Sequence, residues 1–445
     1  MQQLNTQNLI IGFGKAGKTL AADLAKHGQP VILVEASEQM YGGTCINIGC
    51  IPSKKLLVEG EKNAAIADKN HVFQQSMQAK NSLVTKLRAA NFSKLDALDN
   101  VQIITAKARF EDQNTVILSG RDGEFRVTAE RIFINTGSLP VELNIPGADG
   151  EQIYNSNGIL SLNTHPKRLV IIGCGYISLE FAFMYHQFGT EVTIIDSGNT
   201  FLPREDRDIA DEMMRVLQAR GVDIILGADV KRFEQHSNET QIITSQGAFS
   251  ADAVLLAVGR RPNTDGLALE NAGIELTERG FIKTNSQLQA APHIWAMGDV
   301  AGSPQFTYIS LDDYRIVREQ LLGEGKRNIQ DRPHFPTTVF TEPPLAHIGM
   351  TENQATESGR SYRVATLSAE AIPKAKILNQ TDGLLKAIID NDNNQILGVT
   401  LFCAEAHEII NLFKIAMDHH IPADYLKNQI FTHPTISEGL NDLFA

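Results

Sequence analysis

The feature that most restricts this chain is a glycine-rich turn that occurs twice, each time between a short apolar run and a helical pattern. Residues 9–11 are apolar and lead into Gly12-Phe13-Gly14-Lys15-Ala16-Gly17. Leu20 and Leu24 follow one helical turn apart, and Gly28 supplies a stop. Residues 31–34 read as a second buried strand with Glu35 at its end. The order returns at residues 169–172, which run into Gly173-Cys174-Gly175-Tyr176-Ile177-Ser178. An apolar helix (Leu179, Phe183, Phe188) then stops at Gly189, and residues 192–195 form a strand closed by Asp196. The interval from first glycine to acid is 23 positions in both copies. Strand, glycine-rich turn, helix, strand and acid is the order that binds a dinucleotide. The first glycine permits the turn, the second lets a pyrophosphate approach the backbone, and the third lets helix and strand pack closely. The phosphates then meet the positive end of the helix, and the acid accepts from ribose hydroxyls. Two matched copies predict two bound dinucleotides.

The second copy has Ser178 where a third glycine is expected, and serine is small enough to keep that packing. Asp196 suits a free ribose 2′-hydroxyl and repels a 2′-phosphate, which favours NADH over NADPH. Arg204 and Arg207 follow closely and leave NADPH possible. At 445 residues the chain is expected to hold two to four domains. A formal charge of −12 argues against a nucleic-acid or anionic-membrane partner. The first eight residues lack the pattern of a signal peptide, and no apolar run approaches the roughly 20 residues of a membrane span. Four cysteines are too few for a secreted disulfide scaffold. The expectation is a soluble, cytoplasmic, multidomain protein.

Two of those cysteines lie in Tyr41-Gly42-Gly43-Thr44-Cys45-Ile46-Asn47-Ile48-Gly49-Cys50-Ile51-Pro52-Ser53-Lys54. A zinc site needs about four ligands, and no second pair exists. A thioredoxin-type motif has two residues between its cysteines; here there are four. The remaining reading is a redox disulfide beside a redox cofactor. Residues five apart in a regular helix are about 7.5 Å apart along the axis and roughly 140° around it. A bridge therefore requires distorted backbone, which Gly49 permits. Pro52 suits the first turn of a following helix. A helix beginning near Cys50 is expected to hold that residue as thiolate. His407 and the pair His419-His420 read as packed or solvated side chains, and no metal-ligand set is assigned.

The string GGTCINIGCIPSK closely resembles the redox-active disulfide signature of the pyridine nucleotide–disulfide oxidoreductases, which include dihydrolipoamide dehydrogenase, glutathione reductase and mercuric reductase. The likeness extends over essentially the whole chain. Ile134-Asn135-Thr136-Gly137-Ser138 is similar to the family's segment closing the first flavin region. Gly173-Cys174-Gly175-Tyr176-Ile177-Ser178-Leu179-Glu180 resembles its NAD(P)H motif, and Val258-Gly259-Arg260-Arg261-Pro262-Asn263 its return to the flavin domain. Trp295-Ala296-Met297-Gly298-Asp299 resembles the second flavin segment, and residues 432–438 its C-terminal catalytic dyad. Residues 305–315 and the ending around Asn441 look like the mercuric-reductase-related branch linked to reactive-chlorine resistance and to reduction of metal ions such as copper(II).

The resemblance implies an α/β fold: two Rossmann-like domains and a C-terminal α+β dimerisation domain. Residues 1–149 and 263–331 would bind FAD, 150–262 NAD(P)H, and 332–445 would form the dimer interface. FAD would contact Gly12, Gly14, Gly17, Glu35, Thr44, Thr136, Gly137 and Asp299. The nicotinamide nucleotide would contact Gly173, Gly175, Tyr176, Asp196, Gly259 and Arg260. Catalysis would fall to Cys45, Cys50, Lys54, Glu180, His433 and Glu438. Electrons would pass from NADH through FAD to a Cys45–Cys50 disulfide and on to a small-molecule or metal-ion acceptor, copper(II) or another soft ion. A small-disulfide reductase like dihydrolipoamide dehydrogenase or glutathione reductase is the alternative. Tyr176 would gate the flavin, Lys54 would pair with Glu180, and His433, oriented by Glu438, would serve Cys45 of the partner in a homodimer. Away from the motifs, residues 61–91 predict a long helix broken at most once. Residues 101–127 predict short strands, and 220–255 strands completing the nucleotide unit. Strands at 338–340, 384–389 and 396–402 are expected to precede a helix over 405–417.

Overall fold

Short, fully apolar strands flanked by helices are buried on both faces, and such strands assemble in parallel. Two sheets of the chain follow that rule in the computed structural model, which describes residues 1–237 and 239–445. In the first sheet, Gln2–Ile11 lies between Val31–Glu35 and Gly123–Ile134, parallel to both, with Ile11 beside Val34 and Ile134. Val101–Phe110 and Ile294–Ala296 extend the parallel order on either side. Thr115–Gly120 pairs antiparallel with both 101–110 and 123–134. Helix α1 (Lys15–Lys26) packs across this sheet by Ala16, Leu20 and Leu24, all without solvent exposure.

Two short helices follow, α2 (Thr44–Asn47) and α3 (Cys50–Lys62), then the 28-residue α4 (Lys69–Asp96). The expected long helix is thus present but begins at Cys50, is interrupted over residues 63–68, and resumes with Asp68 as its cap, accepting from the His71 amide at 3.0 Å.

The second sheet is wholly parallel, in the order Asp223–Ile225, Glu191–Ile195, Arg168–Ile172, Ala253–Leu256, Ile153–Asn155. Helices α5 (Tyr176–Gln187) and α6 (Arg207–Ala219) flank it. Not all of residues 220–255 complete this sheet: 230–235, 240–244 and 247–251 form a separate three-stranded antiparallel sheet. Alternating buried and half-buried residues, as in 240–244, suit a sheet with one wet face. A two-stranded crossing, Ser138–Pro140 against Arg260–Pro262, joins the two parallel units. Helix α7 (Thr307–Leu322) packs on α1.

The C-terminal region is a five-stranded antiparallel sheet covered by the helix Ala406–Asp418. Its strands Thr337–Val339, Leu384–Asp390 and Ile396–Phe402 were expected; Leu345–Gly349 and Tyr362–Ser368 were not. The architecture is therefore α/β, as the sequence implies. No described helix is long and apolar enough to cross a membrane.

Candidate active site

Both glycine-rich turns open into one cleft of about 2330 Å³, which also reaches the paired cysteines. At the first turn Gly12 has φ +106°, and a Cβ there would lie 2.3 Å from the Asn135 carbonyl oxygen. Asn135 locks the turn: its Oδ1 accepts from the Gly17 amide at 2.9 Å and its Nδ2 donates to the Met297 carbonyl at 2.7 Å. Glu35 accepts from the Phe13 amide at 3.0 Å, and burial raises its carboxyl above the usual range. The second turn repeats this construction. Gly173 has φ +100° with a Cβ position 2.7 Å from the Ala257 carbonyl, and Asp196 accepts from the Cys174 amide at 2.7 Å. Ser178 is fully buried with its hydroxyl unpartnered, so it serves by size alone.

The turns also leave room. Gly14 and Gly175 precede α1 and α5 and bring no capping side chain to those helix N-termini. A Cβ on Gly175 or Gly259 would meet nothing within 4 Å, and one on Gly137 only the Thr44 hydroxyl at 4.0 Å. Uncapped helix N-termini beneath an open cradle fit the phosphates of a dinucleotide at each turn. Thr136 is fixed beside the first cradle by donating to the Asn263 carbonyl at 2.7 Å. Arg204 lines the cleft, whereas Arg207 donates to the carbonyls of Phe201 and Leu202 at 3.0 and 2.5 Å and is withdrawn from nucleotide selection.

The cysteines meet because the helix is broken between them. Gly49 adopts φ −128°, ψ −117°, and its Cβ position lies 3.0 Å from the Thr44 carbonyl oxygen, tight enough that a side chain there would push the backbone apart. Cys45 and Cys50 are free thiols lining the same cleft, close enough to couple their ionisation. Thr307, at the first turn of α7, places its hydroxyl 3.8 Å from Cys50 Sγ. The Cys45 thiol is lowered to about 6, chiefly by the hydrogen bond from Cys50, with help from Thr307 and the charges of Lys18 and Lys54. Cys50 is pushed upward, chiefly because it supplies the proton to that bond, although its side chain is exposed at the mouth of the cleft. The thiolate expected at Cys50 therefore forms first at Cys45: α3 does start at Cys50, but the shared proton stays there. Lys18 props the loop, donating to the Gly42 carbonyl at 3.0 Å and to Asn91 at 2.7 Å, and burial lowers it to about 8.

Lys54, one turn into α3, contacts Glu180 of α5 at 2.5 Å. The other Glu180 oxygen accepts from the Phe340 amide at 3.0 Å, and the Lys54 ammonium sits 4.8 Å from the Phe340 ring centre. The pair thus ties both parallel units to the C-terminal region. Across the cleft Asp299 accepts from the Ser138 hydroxyl at 2.6 Å, and that hydroxyl accepts from Arg260 Nε at 2.9 Å. Arg260 was grouped with the second turn, but the crossing strands turn its guanidinium toward Ser138 and Asp299. Burial raises the Asp299 carboxyl and lowers Arg260. Tyr176 stands at the start of α5, lines the cleft, and donates its hydroxyl to Glu205.

His433 is the expected residue that lies apart. Its Nδ1 is 2.7 Å from Glu438, which also accepts from the Thr435 amide at 3.2 Å. The hydrogen bond from His433 holds the Glu438 carboxyl below the usual range. The imidazole is 70 % exposed and does not line the cleft of its own chain. Ser138, Lys18, Thr307 and Glu205 were not singled out from the sequence. The first and third lie inside quoted motifs, but their contacts depend on strands and helices distant in the chain. Among the described residues no three His, Cys, Asp or Glu side chains gather as a metal cage.

Comparison with known proteins bears on this arrangement. A family model for pyridine nucleotide-disulphide oxidoreductases matches residues 6–313, and one for the dimerisation domain of those enzymes matches residues 335–444. The chain is 49% identical over 441 residues to a probable pyridine nucleotide-disulfide oxidoreductase, RclA of Escherichia coli (strain K12), covering 99% of this chain and 98% of that protein. It is 34% identical over 452 residues to a dihydrolipoyl dehydrogenase of Bacillus subtilis (strain 168), covering 98% and 95%. It is 32% identical over 448 residues to a mercuric reductase of Staphylococcus aureus, covering 97% and 80%. A solved Cu(II) complex of the HOCl-induced flavoprotein disulfide reductase RclA from Escherichia coli superposes with a TM-score of 0.95 at 49% identity, covering 99% of both chains.

Proposed function

The chain belongs to the pyridine nucleotide–disulphide oxidoreductase family, and on that premise we propose that it is an NADH-dependent reductase whose Cys45–Cys50 pair passes electrons to a soft acceptor. Members of the family use FAD and NAD(P)H. Here the first glycine-rich turn, with Glu35, Thr44, Thr136, Gly137 and Asp299, would hold FAD within residues 1–149 and 263–331. The second, with Tyr176, Asp196 and Gly259, would hold the nicotinamide nucleotide within 150–262. Asp196 favours NADH, and Arg204 remains as the one cation of its pair free to meet a 2′-phosphate. Residues 332–445 would form the interface of a homodimer. When bound, FAD would supply two-electron chemistry between the nicotinamide and the cysteine pair.

The chain's own residues supply the rest. Cys50 at the head of α3 would be the sulfur nearer the flavin, and Cys45 the interchange thiol. Two-electron reduction of the disulfide with uptake of one proton yields a thiol and a thiolate, leaving Cys45 able to attack at neutral pH. Lys54 places positive charge where negative charge develops, and Glu180 prevents that charge from standing alone. His433, held in one orientation by Glu438, exchanges protons with Cys45 of the partner. A reduced dithiol suits soft metal ions. The Cu(II) complex and HOCl induction of the Escherichia coli protein support copper(II) as an acceptor, in defence against reactive chlorine.

The observation that carries this reading is the pair of neighbouring thiols in the wall of a cleft shared by both glycine-rich turns. Anaerobic titration of the yellow protein with NADH tests it. The expected result is uptake beyond two electrons, with two new protein thiols counted per chain after reduction. Reduction that stops at two electrons, with Cys45→Ser turning over every acceptor among copper(II), mercury(II), oxidised glutathione, lipoamide and chloramines, would refute it.

A further inference from the structure

On the reading above, Tyr176 stands where a nicotinamide must pass, and its exposed ring is tethered through its hydroxyl. Its hydroxyl donates to Glu205, a residue of the turn before α6 that is only 7% exposed. Among the described residues, that hydroxyl is the one hydrogen-bond donor to the Glu205 carboxylate. Burial and the neighbouring carboxylate raise the tyrosine above its ordinary range, opposed weakly by Arg204, so the proton stays on the phenol. Withdrawing the phenol would strand a buried carboxylate, which costs more than an ordinary hydrogen bond returns.

Glu205 is itself a fixed post. Leu202, in the same turn, has φ +42°, a left-handed conformation that a leucine adopts only when its surroundings enforce it. Arg207 enforces it by donating to the carbonyls of Phe201, Leu202 and Glu205. The next residue, Asp206, is 5% exposed, accepts from the Glu352 amide at 3.0 Å, and lies 3.2 Å from the buried ammonium of Lys386. Lys386 also binds Asp208 at 2.9 Å and Glu352 at 2.6 Å. The turn that carries Glu205 is therefore clamped to the C-terminal sheet.

We propose that Glu205 is a positioning residue that latches the Tyr176 ring across the nicotinamide path, so that each entering nucleotide must first break the Tyr176–Glu205 bond. The latch rests on the assignment of Tyr176 as gate. Its signature is selectivity: ligands with a nicotinamide ring bear the cost of opening, and ADP-ribose, which lacks that ring, does not. Binding of NAD⁺ and of ADP-ribose to the oxidised, flavin-loaded protein, measured by calorimetry, separates the two. Glu205→Ala and Tyr176→Phe should each tighten NAD⁺ roughly fivefold or more while leaving ADP-ribose unchanged. Glu205→Gln, which keeps a neutral acceptor, should fall between. In the double variant the second change should add nothing, since both remove one bond. The latch is overturned if Glu205→Ala leaves the NAD⁺ to ADP-ribose ratio unchanged while Tyr176→Ala alters it. If Tyr176→Ala also leaves the ratio unchanged, the gate assignment fails first. Equal shifts for both ligands likewise overturn the latch, because Glu205 would then shape the whole nucleotide site.

Discussion

Two sulfurs with one proton between them behave as a unit, and the geometry decides which releases first. Cys50 donates, so Cys45 carries the developing charge, near Thr307 and the ammonium groups of Lys18 and Lys54. Partial burial opposes ionisation at Cys45, and its sulfhydryl donor, Cys50, more than offsets it. Thiolate is the reactive form, so the pH at which Cys45 ionises sets its rate of alkylation. In the reduced protein, iodoacetamide should label Cys45 ahead of Cys50, with a rate that falls about tenfold from pH 7.5 to pH 5 as protonation crosses a value near 6. The sign follows from the lowered thiol: acid restores its proton and removes reactivity, and alkali above neutrality adds little. Peptide mass analysis of the labelled chain checks both the site and the profile. A rate that climbs instead through about 8.5 would mean an ordinary thiol, with no charge sharing.

At the scale of elements, the two glycine-rich turns separate two duties of glycine. Gly12 is pressed against its own fold, with a Cβ position 2.3 Å from a carbonyl oxygen and φ +106°. Gly175 faces open space at a negative φ of −90°. Gly12→Ala should therefore cost about 3 kcal/mol of stability and expel flavin together with it. Gly175→Ala should leave the melting temperature within about 2 °C and flavin content intact, while weakening NAD⁺ by about tenfold, because the added methyl occupies the ligand's space. Thermal melts, flavin absorbance and NAD⁺ calorimetry on the two variants check the contrast. These turns were legible in the sequence because strand, turn, helix and acid are set by neighbours along the chain. So was the need for a break at Gly49, from helix geometry alone. What escaped were relations between distant elements. Thr307 reaches the cysteines because α7 packs on α1, Arg260 turns to Ser138 because two short strands cross, and residues 230–251 leave the parallel sheet as one with a wet face. The placement of the Cys45 thiolate escaped for the same reason, since it depends on which thiol donates.

Among the ion pairs that tie the units of the molecule together, two junctions lie next to the cleft or to the turn that carries Glu205. Lys54 with Glu180 joins the parallel units at the cleft, and Lys386 with Asp206, Asp208 and Glu352 joins the second unit to the C-terminal sheet. His433 belongs to neither junction. It is anchored to Glu438 and turned outward, on a C-terminal region that also exposes Leu412, Ile415, Tyr425 and Ile430. Apolar side chains in that number on one region suit burial against another copy, and the matched dimerisation domain covers them. If the imidazole serves a neighbour's thiols, the two groups can be disabled on separate chains and recovered by mixing. Cys45→Ser and His433→Ala homodimers should each be nearly inactive with a disulfide or copper(II) acceptor. In a mixed dimer, one site then combines both defects, and the other joins an intact Cys45 to an intact His433. Isolated with two different affinity tags, that dimer should have about half the wild-type rate. A site built within a single chain gives the opposite result, since every chain of the mixed dimer carries one defect and no activity returns.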